Sequence, residues 1–165
     1  MGKLERGLKA GILAMIITQL IGSIITVALM ITANPYPENP SFITLIAISS
    51  LIGAIFIGAI LGAILGAIYS ALYTVLPSDS PIVKGMILGL AYYLIGTLLE
   101  YLIILAFTPY PESISSGMLA MIMSPLGIVT IVLDIFVFGF LIGKFWGTEP
   151  LEEETAFAEM SPGMA

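Results

Sequence analysis

Two carboxylates interrupt stretches that are otherwise apolar: Glu100 in T-L-L-E-Y-L-I-I-L and Asp134 in I-V-L-D-I-F-V-F. In hydrocarbon an ionised carboxylate is costly and persists only with a partner, a proton or water. Neither apolar core contains a lysine or arginine, so neutral polar groups must satisfy the acids. At 1.5 Å per helical residue, Glu100 lies about 10 Å and Asp134 about 13 Å from the C-terminal ends of their runs. If the two runs are antiparallel, the acids sit at different depths, which argues against a shared-proton dyad. Gln19 falls near the depth of Asp134, Ser23 and Thr26 nearer Glu100, and Thr97 one turn from Glu100. Gln19, Thr97, Glu100 and Asp134 are therefore the intramembrane candidates. They are either steps in a conduit for protons, cations or a small solute, or hydrogen-bonding sites that fix helix packing. The gaps between them favour packing.

A second acidic pair, Glu38 and Glu112, occupies matching places in the segments N-P-Y-P-E-N-P-S and T-P-Y-P-E-S-I-S. Oxygen-rich pairs attract hard cations, so these two are candidates for an outer mouth, although two acids do not make a coordination sphere. Proline-fixed turns with a solvated acid account for them more simply. Histidine and cysteine are absent. That removes disulfides, thiolate catalysis, Cys/His zinc sites and histidine-ligated haem. Gly58, Gly62 and Gly66 do not form a phosphate loop, which needs a Lys-Ser/Thr end after a strand. The expectation is a protein that is not an enzyme, with no catalytic residues, cofactor or metal.

The elements that carry these residues follow from composition. The chain is 59% hydrophobic and 10% charged, with mean hydropathy +1.11. A soluble domain has about a quarter of its residues charged. Four apolar runs stand out, roughly Ala10–Thr32, Phe42–Leu76, Ile82–Phe107 and Met118–Phe145. The second would be about 50 Å long as one helix, against a hydrocarbon core of about 30 Å. It must tilt, project or break, with Ser49–Ser50 a place for a bend. The basic residues Lys3, Arg6, Lys9, Lys84 and Lys144 all fall at the same side of a four-span arrangement, and the two PYPE loops have none. Short-loop lysine and arginine stay cytoplasmic. The expected fold is therefore an all-α four-helix membrane bundle at residues 1–146, multi-pass in the cell membrane, with both termini cytoplasmic. Residues 147–165 contain five acids and no base, and read as a flexible acidic cytoplasmic tail. Its charge disfavours nucleic acid and leaves it open to a basic cytoplasmic partner.

Within the second run, Ser50, Ala54, Gly58, Gly62, Gly66 and Ser70 recur every fourth residue. Small side chains on one stripe let a second backbone approach, which is how helices associate in lipid. The partner helix lies either in this chain or in a second copy; Gly85, Gly89, Gly96, Gly139 and Gly143 offer complementary faces. K-A-G-I-L-A at 9–14 echoes K-G-M-I-L-G at 84–89, and with the PYPE echo this divides the chain into two related hairpins sharing one orientation. Tyr36, Tyr69, Tyr73, Tyr110, Phe145 and Trp146 lie near span ends, where aromatic side chains anchor in the headgroup region.

The pattern G-A-I-L-G-A-I-Y-S-A-L-Y at 62–73, a short proline-containing turn, then K-G-M-I-L-G-L at 84–90 resembles small, mostly uncharacterised four-helix membrane families of prokaryotes. The resemblance covers the central third of the chain. It implies the same four-span architecture and brings no activity or catalytic residue. Because the small-residue stripe is better developed than the polar track, the expectation is a structural or accessory membrane subunit, a homo-oligomer or part of a larger complex. The alternative is a small channel or transporter with Glu100 and Asp134 in its path.

Overall fold

A computed structural model describes residues 2–33, 40–107 and 125–147; within those ranges the side chains of residues 33, 40, 100, 104, 105, 107, 125 and 126 are not described. The elements are α1 (Lys3–Ala33), α2 (Pro40–Leu72), α3 (Pro81–Phe107) and a fourth span. That last span is assembled from α4 (Pro125–Ile131), a π-helical segment (Val132–Phe138) and α5 (Gly139–Trp146). All regular structure among the described residues is helical, and four helical stretches are long and apolar enough to cross a membrane. Helix is the state expected of such sequences, since lipid offers no partner to an open backbone N–H or C=O.

The helix ends are chemically marked. α2, α3 and α4 each begin on proline, whose missing N–H is one of the groups a first turn leaves unpaired anyway. The Ser80 carbonyl accepts the first bond of α3 from the Lys84 N–H at 3.1 Å. α2 closes with N–H groups of Val75 and Leu76 returning to the Leu72 carbonyl at 2.9 and 3.0 Å. Gly147, at φ +77°, turns the chain out of α5, a backbone state that glycine adopts without steric penalty.

Two element boundaries differ from the hydropathy reading. α1 starts at Lys3 rather than Ala10, so Arg6 and Lys9 lie on helical turns, and Lys9 pairs with Glu5 at 2.8 Å on an exposed face. α2 ends at Leu72 rather than Leu76 and is continuous over its 33 residues. Its Ser49 hydroxyl bonds the Ile46 carbonyl at 3.0 Å, so the serine pair is absorbed without interrupting the helix. An unbroken α2 is about 50 Å long and must tilt or project.

Packing follows the glycines. α1 and α2 run antiparallel with their backbones in contact: a Cβ built on Gly11 would lie 2.6 Å from the Gly66 Cα, one on Gly62 2.7 Å from the Ile12 Cα, and one on Gly58 3.0 Å from the Ile16 Cα. Gly7 lies against Gly66 and Ser70. The stripe on α2 is therefore taken up by α1 of the same chain, with Ala54 buried at its far end. The third and fourth spans make a second seam of the same kind. A Cβ on Gly139 would lie 2.7 Å from the Met86 Cα, and one on Gly143 2.5 Å from the Ile82 Cα. Gly96 is the exception among the glycines offered for close faces, with nothing among the described residues within 4 Å of its Cβ position.

Both seams lie toward the end that carries the basic residues, and so does the core. Ala10, Ala14 and Met15 of α1 meet Leu65 and Tyr69 of α2, Leu88 of α3, and Phe138, Ile142 and Trp146 of the fourth span. Tyr69 and Trp146 are nearly fully buried, not turned out toward headgroups as their place at span ends suggested. Tyr69 meets Trp146 edge-on at 5.2 Å between ring centroids, and Tyr73 stacks on Trp146 at 4.5 Å. The Tyr69 hydroxyl donates to the Pro81 carbonyl at 2.6 Å. Lys84, also buried, donates from Nζ to the Tyr73 carbonyl at 2.6 Å and lies 4.0 Å from the Tyr73 ring centroid. The Tyr69 hydroxyl thus finds a partner inside the bundle, which is the condition for burying it.

Candidate functional site

Away from the basic end, the close packing gives way to a polar cavity of about 370 Å³. All four spans contribute to its wall. α1 contributes Gln19, Ser23 and Thr26 at the i, i+4 and i+7 spacing of one helix face, with Thr18 beside them. α2 contributes Ser50, α3 contributes Tyr92, and the fourth span contributes Thr130 and Asp134. Gln19 and Asp134, placed at similar depth by residue counting, line the same cavity. Among its lining residues Asp134 is the one with a formal charge.

Local bonds hold part of this wall. The Thr18 hydroxyl donates to the Ala14 carbonyl at 2.9 Å, and the Gln19 amide lies 3.8 Å from the Met15 sulfur as donor. The Ser23 hydroxyl reaches across to the Ser50 carbonyl at 3.4 Å, a link between α1 and α2 beyond the glycine seam. A thioether is a weak acceptor, so the Gln19 amide keeps most of its bonding capacity for whatever enters the cavity.

Asp134 sits in the π-helical segment. A π-helical turn carries wider i→i+5 bonding than the α-helix around it and recurs at functional positions. Here α3 comes against its backbone: a Cβ on Gly89 would lie 2.6 Å from the Asp134 carbonyl oxygen and 3.0 Å from that of Ile135. Gly89 thus sets how near α3 stands to the turn that carries the acid. On the other side Phe138 is fully buried, its ring 5.9 Å from that of Tyr92. The acid is presented to the cavity from a turn held on both flanks.

The remaining polar candidates are placed differently. Thr97 is half-buried on α3 and is not one of the lining residues. Glu100 belongs to α3, but its side chain lies outside the described residues. Glu38 and Glu112, the PYPE segments and the acidic tail from residue 148 onward also lie outside them. Among the described residues no group of three or more acidic, histidine or cysteine side chains is arranged to hold a metal.

Sequence reading missed Thr18, Thr130 and Tyr92 as parts of the wall. Thr130 had a signal, being one turn before Asp134 on the same helix. Tyr92 had none, since Tyr92 and Tyr93 are adjacent and nothing in an apolar helix says which faces inward. A second hollow of about 380 Å³ lies beside the first, bounded by Gln19, Ser23, Ile46, Ser49, Ser50, Gly53, Ala54 and Ile57. No family model, curated protein or solved structure matches the chain.

Proposed function

We propose that this protein is a small membrane conduit for protons or cations, in which Asp134 is the charged group of the pathway and Gln19 its nearest amide. It lies in the cell membrane as two related hairpins with both termini cytoplasmic, an orientation supported by the clustering of Lys3, Arg6, Lys9, Lys84 and Lys144 at one end. The observation that carries the reading is a cavity lined by an intramembrane carboxylate, an amide and several hydroxyls. Such a group within a span is expensive, and it characteristically marks an ion or proton path. On the cytoplasmic side the path is closed by Tyr69, Tyr73, Trp146 and buried Lys84.

The reading as a structural or accessory subunit draws on a different observation: at most 28% of the residues in any span's most apolar window are buried within this one chain. That leaves much of each helix to lipid, to a second copy or to another membrane protein. It no longer draws on the α2 stripe, which α1 occupies.

Liposome flux of protons and potassium separates the two. A conduit gives flux above empty liposomes, lowered in Asp134→Asn while the protein still assembles. Glu100→Gln in parallel reports whether the second carboxylate belongs to the same path. Absence of flux in the intact protein, together with reproducible co-purification of one membrane partner, rejects the conduit.

A further inference from the structure

The two hollows adjoin. They share Gln19, Ser23 and Ser50, and the long Ser23–Ser50 hydrogen bond, 3.4 Å, spans the place where they meet. Their chemistries differ. The first offers a carboxylate, an amide, hydroxyls and the Tyr92 ring. The second is lined largely by Ile46, Ala54, Ile57 and the Gly53 backbone. Ser49 and Ile57 at its edge are exposed at the depth of the bilayer, so the second hollow opens sideways between α1 and α2.

Gly53 carries the point. From Gly58 to Ser70 every glycine of α2 is required by the approach of α1, but nothing among the described residues lies within 4 Å of a Cβ built at Gly53. Glycine inside a helix is unfavourable by roughly 0.5–1 kcal/mol relative to alanine, and no packing among the described residues demands it there. What its missing side chain does is keep the side opening clear.

From this juxtaposition we infer that the site takes a small ammonium ion bearing a hydrocarbon chain, admitted from the lipid between α1 and α2. The ammonium meets Asp134 and the Tyr92 side chain, both lining the first hollow, and the chain passes where the Ser23–Ser50 bond parts into the second hollow beside Gly53. An inorganic cation has no use for the apolar hollow, and an anion is opposed by Asp134. This inference rests on the conduit reading for the role of the carboxylate and adds the class of ligand and its route.

The test uses the full chain in phosphatidylcholine nanodiscs, with binding to empty discs subtracted, and three probes: hexyltrimethylammonium, tetramethylammonium and hexyl sulfate. Hexyltrimethylammonium is expected to bind about tenfold or more tightly than tetramethylammonium, and hexyl sulfate not at all. Asp134→Asn should weaken both cations. Gly53→Leu, which fills open space without a clash, should weaken hexyltrimethylammonium about tenfold and leave tetramethylammonium unchanged. If Gly53→Leu does not assemble, Ser49→Leu one turn away on the same edge serves in its place. If Asp134→Asn does not assemble, the comparison of hexyltrimethylammonium with hexyl sulfate, equal chains of opposite charge, carries the charge arm. Equal affinity for the two cations, or no effect of filling the opening, overturns the inference. Proton or potassium flux with no preference for the chain-bearing ion leaves the conduit and removes this ligand. Selective binding without any flux does the reverse.

Discussion

At the scale of single residues, the hydrogen bond from Tyr69 to the Pro81 carbonyl ties the end of α2 to the start of α3. Tyr69→Phe keeps the ring packing against Tyr73 and Trp146 but leaves that carbonyl without its donor. It should lower stability by about 1 kcal/mol, read as an earlier thermal unfolding transition in detergent with flux retained. Gly89→Leu should act on the site instead. Its side chain would meet the Asp134 and Ile135 carbonyls, so the π-helical turn has to shift, and flux should fall toward that of Asp134→Asn. Unchanged flux in an assembled Gly89→Leu protein would mean that the close approach of α3 does not position the acid. Asp134 and Gln19 were legible as residues because a polar group in an apolar run is conspicuous. Their common cavity was only partly so, since counting residues gives depth and not the direction in which a side chain points.

At the scale of elements, hydropathy located the spans, and the four-residue recurrence picked out the stripe on α2. The helix that fills the stripe was hidden. Gly7 and Gly11 stand among Lys3, Arg6 and Lys9, in a segment that looks like a charged approach to a span, whereas the helix already begins at Lys3. Burial of Tyr69 and Trp146 was hidden for another reason: helices apolar on all sides carry no periodic signal of which face is inward. The π-helical segment had no marker either, since Val132–Phe138 contains neither proline nor glycine.

Two predictions belong to this scale. Gly62→Leu should cost at least about 1–3 kcal/mol or abolish assembly, while Gly96→Leu, on an open face, should be tolerated; comparing their melting in detergent checks the difference. Deleting Phe136, an exposed residue, removes the surplus residue of the π turn. The glycine seam should survive, and Asp134 should rotate by about 100° relative to it, one residue's worth of helix. Retained assembly with flux lost is the expected result, and flux at the wild-type level would separate the π turn from function.

At the scale of the whole molecule, orientation can be read directly. Single cysteines introduced as Ser41→Cys and Ser115→Cys should react with an impermeant reagent outside intact cells. Ser80→Cys, exposed in the α2–α3 turn, should react only after the membrane is opened. Labelling of the Ser80 position from outside would reverse the topology, and with it the assignment of the closed end to the cytoplasm. The helical character of the described residues and the number of spans were legible from the four long apolar runs, because a continuous apolar stretch of that length satisfies its backbone in lipid as a helix.

The uneven distribution of glycine contact has a mechanical consequence. In the α1–α2 hairpin the backbones touch from Gly7 against Gly66 and Ser70 to Gly58 against Ile16, and in the second hairpin where Gly85, Gly139 and Gly143 meet the facing backbone. Backbone contact leaves no side chain to rearrange in the seam. A sideways pull on either hairpin is therefore borne there as in a riveted joint, by the chain itself rather than by side chains that can give.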